Sequence, residues 1–152
     1  MKAVFKLIWA IILCIAPIFA SAQLYEEQHA QLTKSHNLAG ESAEGFRTSK
    51  PNDKVAQKKH AEAAGKHLAY ARVTMQEINN NKPENQKPTS NFHSIAIDKY
   101  HAEAKNHHEA LMAELNREKY DERIAKAHAQ NFQNVMGYAE AEHKKLRSEI
   151  NR

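Results

Sequence analysis

The chain has 152 residues, with 22 Lys and Arg against 18 Asp and Glu, a formal charge of +4 and ten histidines. So small a positive excess excludes the dense basic face that a nucleic-acid binder needs. A single cysteine excludes both a disulfide framework and a covalently attached c-type haem.

The first segment reads as an export signal. Lys2 and Lys6 precede the apolar run LIWAIILCIAPIF, and Ala20, Ser21 and Ala22 place small residues before Gln23. Cleavage is expected there, sending residues 23–152 to the periplasm or out of the cell. The apolar run is short for a membrane span and nothing later resembles one, so no stable insertion is expected once the signal is removed. Leu13 stands before Cys14 where a lipid-anchor motif wants a small residue.

What remains reads as a single helical domain without cysteine or tryptophan. Its core is thin: Leu, Ile, Val and Phe make up 18 of these 130 residues, and alanine fills much of the gap. Such a chain is expected to need a ligand, a partner or self-association into a homo-oligomer. All ten histidines lie in this part, so full protonation would take its formal charge from +2 to +12, mostly near pH ~6.5.

Four helices are predicted in order. The first spans about residues 24–39 and ends at Gly40, before the polar stretch GESAEGFRTSKP. The second spans 52–78, with Asp53 at its start where a carboxylate suits the helix dipole. The linker NNNKPENQKP follows, and Thr89 or Ser90 can cap a third helix over 90–115. A tight turn near Asn116 to Lys119 leads to a fourth over 120–150. No stretch alternates polar and apolar residues as a strand would. The pattern predicts an all-α, up-and-down antiparallel four-helix bundle.

One phrase recurs through these helices. It reads HAQLTKSH at 29–36, HAEAAGKH at 60–67 and HAEAKNHH at 101–108, and HAQNFQNV at 128–135 keeps only the opening. Repetition at this scale suggests one copy per structural unit. Seven residues bring the two histidines of a phrase to within about 20° of each other on a helix face. The same spacing separates them by about 10.5 Å of rise, so they cannot share one metal ion. Any chelation must join different helices.

Antiparallel pairing of the phrases sets 29 opposite 67 and 36 opposite 60, with the first turn centred near Thr48. The same logic centres the second turn near Glu84 and the third near Glu118. One tier is then expected to hold His36, His60, His108 and His128. A second holds His29, His67 and His101, with Val135 near its fourth corner, and His93 and His143 form a smaller pair. Neutral imidazoles in such tiers suit zinc, copper or nickel. Glu26, Asp98 and Glu140 each stand three residues before a histidine (His29, His101 and His143) and are candidate ligands or carboxylates that orient the rings. The same spacing occurs in di-iron bundles, but a second pair of matching glutamates is missing here.

There is no cysteine nucleophile, glycine-rich phosphate loop, G-x-S-x-G or H-E-x-x-H. The expectation is therefore a non-enzymatic, exported protein that holds a transition metal between helices for buffering, sequestration or transport. The rival is a structural, chaperone-like or pH-responsive helical protein whose histidines serve packing.

Overall fold

A computed structural model describes the backbone of residues 2–82 and 87–150 and the side chains of 23–82 and 91–150. Residues 1–22, read above as an export signal, and the cap expected at Thr89 or Ser90 have side chains outside that description. The helices are α1 (Lys2–Thr48), α2 (Lys54–Asn81), α3 (Lys87–Leu115) and α4 (Glu122–Ile150). Among the described residues there is no strand, and no helix is long and apolar enough to cross a membrane.

The helices pack as a ring in which α1 neighbours α2 and α4, and α3 neighbours α4 and α2. Pairings across the seams give their directions. Asn81 donates to Gln28 while His60 lies against Gly45, so α2 runs antiparallel to α1. Arg47 donates to Gln133 and Arg147 to Glu26, so α4 also opposes α1.

The ends of α1 and α2 differ from the expectation in a way that positions the site. Gly40 does not stop α1, because its buried stripe continues at helical spacing through Leu32, Ala39, Ala43 and Phe46, all with no exposed surface. The helix therefore runs on to Thr48. The turn follows, with Asn52 at φ 64°, a left-handed conformation that asparagine tolerates better than most residues. Asp53 then caps α2 by accepting the Ala56 N–H at 3.0 Å. Asp121 does the same for α4, accepting the N–H groups of Arg123 at 2.9 Å and Ile124 at 3.4 Å.

The longer α1 resets the register. Residue 45, not 36, stands beside His60, a slide of about 13 Å along the helix axis. The α2–α3 seam keeps the expected level, with His108 over Ala61 and Gly65. So does the α3–α4 seam, where His107 and His128 face each other with ring centroids 6.0 Å apart.

Alanine occupies much of the core, as a composition poor in large aliphatics requires. Leu32, Leu68, Met75, Ile78, Ile97, Phe132 and Leu146 fill its main part, and Phe46 and Leu111 anchor a smaller cluster with Ala61, Ala125 and Ala129. Into this alanine-lined interior the bundle also takes His29, His36, His101 and His143, each at most 2% exposed.

Candidate metal centre

Two helices, α1 and α4, converge on one carboxylate. Glu140 of α4 is buried, and its Oε2 lies 2.9 Å from His36 Nδ1 of α1 and 3.5 Å from His143 Nδ1 one helical turn away. One donor atom from each of His36, Glu140 and His143 lies within 4.8 Å of the other two. Two further imidazoles extend the group. His101 Nε2 of α3 is 2.8 Å from His36 Nε2, and His29 Nδ1 of α1 is 2.7 Å from His143 Nε2. Thr33 Oγ1 lies 3.3 Å from His143 Nδ1.

Ring geometry shows how these pairs meet. Centroids are 5.0 Å apart for His29 and His143, with planes within 4°, and 5.1 Å apart for His36 and His101. Separations this long, with the nitrogens in hydrogen-bond contact, set the rings end to end rather than face to face. Each contact joins an N–H of one ring to the lone pair of the next.

Burial and Glu140 set the protons of the His36–His101 pair. Burial pushes the His29 and His101 pKa values down to about 3, and burial also lowers His36 despite its bond to Glu140. For Glu140 burial acts in the opposite direction, yet the hydrogen bonds from His143 and His36 hold it down near 2. Glu140 is therefore an anion that only accepts. His36 donates Nδ1–H to it and takes a proton at Nε2 from His101. His143 sits with Nδ1 toward Glu140 and Thr33 and with Nε2 against His29 Nδ1.

This assignment leaves His101 Nδ1 as a bare lone pair, and it is buried without a hydrogen-bond partner, as are His29 Nε2 and Glu140 Oε1. Two of these atoms, His101 Nδ1 and Glu140 Oε1, are electron-pair donors. A buried polar group without a partner costs about 1–3 kcal/mol, and a set of this kind is complementary to a cation.

The donor spacing fits a small transition-metal ion. Bonds of about 2.0–2.1 Å in a tetrahedral site put donors about 3.3 Å apart, and the 2.9 and 3.5 Å separations around Glu140 Oε2 bracket that value. Two imidazoles and one carboxylate suit zinc, copper or nickel. An ion held by His36 Nδ1 would require that ring to carry its proton at Nε2, facing His101.

The other candidates lie elsewhere. His60 is half-buried on α2 with its ring against Gly45, where an added Cβ would come within 2.6 Å of it. His108 occupies the same kind of socket at Gly65 and donates Nε2–H to Ala61 O at 3.0 Å. His128 faces His107, and His67 is half-buried one phrase above His60. The expected tier of His36, His60, His108 and His128 is therefore corrected: the slide of α1 carries His36 to the level of His101. The second tier is corrected likewise, with His29 meeting His143 instead of His67. Val135 is buried in the apolar core rather than filling a corner of a tier.

His93 does not pair with His143. It lies between Glu142 and Glu149 of α4, with Glu149 Oε1 3.1 Å from its Nε2. Burial opposes protonation there, but the hydrogen bonds and charges of the two carboxylates raise its pKa overall. Of the three acids placed ahead of a histidine, Glu140 alone turns inward. Glu26 bonds Arg147 at 2.7 Å on the surface, and Asp98 is exposed. Yet His29, His101 and His143, the histidines that follow those acids, all meet in the cluster.

Comparisons with known protein families, curated proteins and solved structures find no match for this chain, so its site is read from its own geometry.

Proposed function

We propose that the protein binds a divalent transition metal through His36, His143 and Glu140, with His101 and His29 holding the two ligand imidazoles from behind. The observation that carries this reading is the buried triad, whose three donor atoms lie within 4.8 Å of one another. Outer partners of this type fix ring orientation and typically change affinity by about 10–100-fold. The reading continues to an exported, non-enzymatic protein that buffers, sequesters or transports zinc, copper or nickel. The signal-like residues 1–22 and the absence of any nucleophilic or phosphate-binding motif support it. Exposed Phe92 and Ile95 on α3 support self-association as a further property.

Thermal melting of residues 23–152 with each metal and with a chelator tests the reading. An ion selective for the folded chain at a hundred times its Kd adds about 2.7 kcal/mol. The melting temperature is expected to rise with metal in wild type and to stay fixed in His36→Ala/His143→Ala. A wild-type melting curve indifferent to all three metals at micromolar concentration rejects metal binding and leaves the rival, a histidine core serving packing or pH response.

A further inference from the structure

A groove of about 480 Å³ runs between α1 and α4, and its lining includes His36 and Glu140. Glu140 carries the little exposure the triad has, 8% of its side chain with Oε1 itself covered, whereas the side chains of His36 and His143 are fully covered. Three other surface cavities touch none of the cluster residues.

Two glycines open this groove. Gly40 and Gly137 both line it, and a Cβ built at either would meet nothing within 4 Å. Neither adopts a positive φ, so backbone conformation does not demand glycine. Glycine inside a helix is unfavourable relative to alanine, and here close packing does not compensate for it. Gly45 and Gly65 form a control within the same chain, because each makes room for a histidine ring. What Gly40 and Gly137 leave is space above Glu140. Exposed Glu41 and Glu44 stand on the same groove, and the Lys144 ammonium is 3.8 Å from Glu140 Oε1 on a side chain 73% exposed.

We infer that this groove is the port through which a divalent cation reaches the triad. Glu41 and Glu44 draw the ion in, and Glu140 is the first ligand it meets. Lys144 competes with it as a movable ammonium at the mouth. The inference rests on the metal reading above.

Stopped-flow mixing with Co(II), followed by its visible absorption in the intact chain, measures entry directly. Gly40→Leu/Gly137→Leu is expected to slow association by about tenfold or more and dissociation in proportion, leaving Kd unchanged, because a gate alters rates and not the end states. Gly40→Ala/Gly137→Ala, which has room for both methyl groups, is expected to slow both rates less while raising the melting temperature. Lys144→Gln accelerates association, and Glu41→Gln/Glu44→Gln slows it and weakens its salt dependence. Wild-type rates in the leucine variant, or a loss of affinity in the alanine variant, overturn the port alone. Absence of Co(II), Zn(II) and Cu(II) binding by wild type in equilibrium dialysis overturns the metal reading and the port with it.

Discussion

Two halves of the bundle use histidine in opposite ways. Toward the end where α1 faces the last turns of α4, His29, His36, His101 and His143 are sealed in the core and speak to one another through hydrogen bonds. Toward the end where α1 turns into α2, His60 and His108 are half-buried and seat against glycines of the neighbouring helix. All of these residues but His143 come from the same recurring phrase. What separates them is the register that neighbouring helices impose and whether a carboxylate turns inward. A histidine motif thus acquires chemistry from the level at which it meets its neighbours, not from its own spelling.

The largest effect should come from exchanging the two halves as targets. Isothermal titration with zinc is expected to show His36→Ala/His143→Ala losing affinity by about a hundredfold or more, while His60→Ala/His108→Ala stays close to wild type. Equal losses would mean chelation on the surface and would erase the distinction.

Acid should divide the halves next. His29 and His101 gain protons near pH 6.5 in the unfolded chain but only near about 3 when folded. Across that window the unfolded chain holds more protons. Their contribution is therefore full above pH ~6.5 and is lost progressively as pH falls toward 3. His93 has the opposite sign, since its raised value makes its contribution full at low pH and lost as pH rises through it. Melting temperatures of the metal-free protein from pH 8 to 4 should fall by the equivalent of a few kcal/mol. His29→Ala/His101→Ala should flatten the curve.

Glycine substitutions sharpen the same contrast at smaller scale. Gly45→Ala and Gly65→Ala push a methyl into an imidazole and are expected to destabilise by about 1–2 kcal/mol each in denaturant unfolding. Gly40→Ala and Gly137→Ala should stabilise by about 0.5–1 kcal/mol each. The smallest change is expected at Glu26→Gln. Its surface bridge to Arg147 is worth about 0–1 kcal/mol, and zinc affinity should not move, because Glu26 points away from the cluster.

Much of this fold is legible in the chain. Helix-forming composition, the proline-containing linker and Asp53 at the start of α2 announce four helices. The histidines lie on apolar stripes, as their spacing with Leu32, Ile97, Leu111 and Phe132 indicates. What fails is one boundary. Gly40 reads as a stop, yet Ala43 and Phe46 continue the stripe of Leu32 and Ala39, and both are fully buried. Following that stripe would have moved the first turn and slid His36 away from His60. The inward turn of Glu140 was less accessible. Glu26 and Asp98 have the same spacing to a histidine, and which of the three acids is buried depends on the packing of α1 against α4, a contact between opposite ends of the chain.

That last contact has a mechanical consequence. The other three seams of the ring are each spanned by a chain connection, whereas α1 and α4 meet with no loop between them. The pairs His29–His143 and His36–Glu140 cross this one unlinked seam, making them a clasp rather than an ornament of the core. An ion held there would fasten α1 to α4, with α3 joined to it through His101. Opening of the clasp would begin with α1 swinging from α4, which makes amide exchange along α1 the natural gauge of whether it is shut.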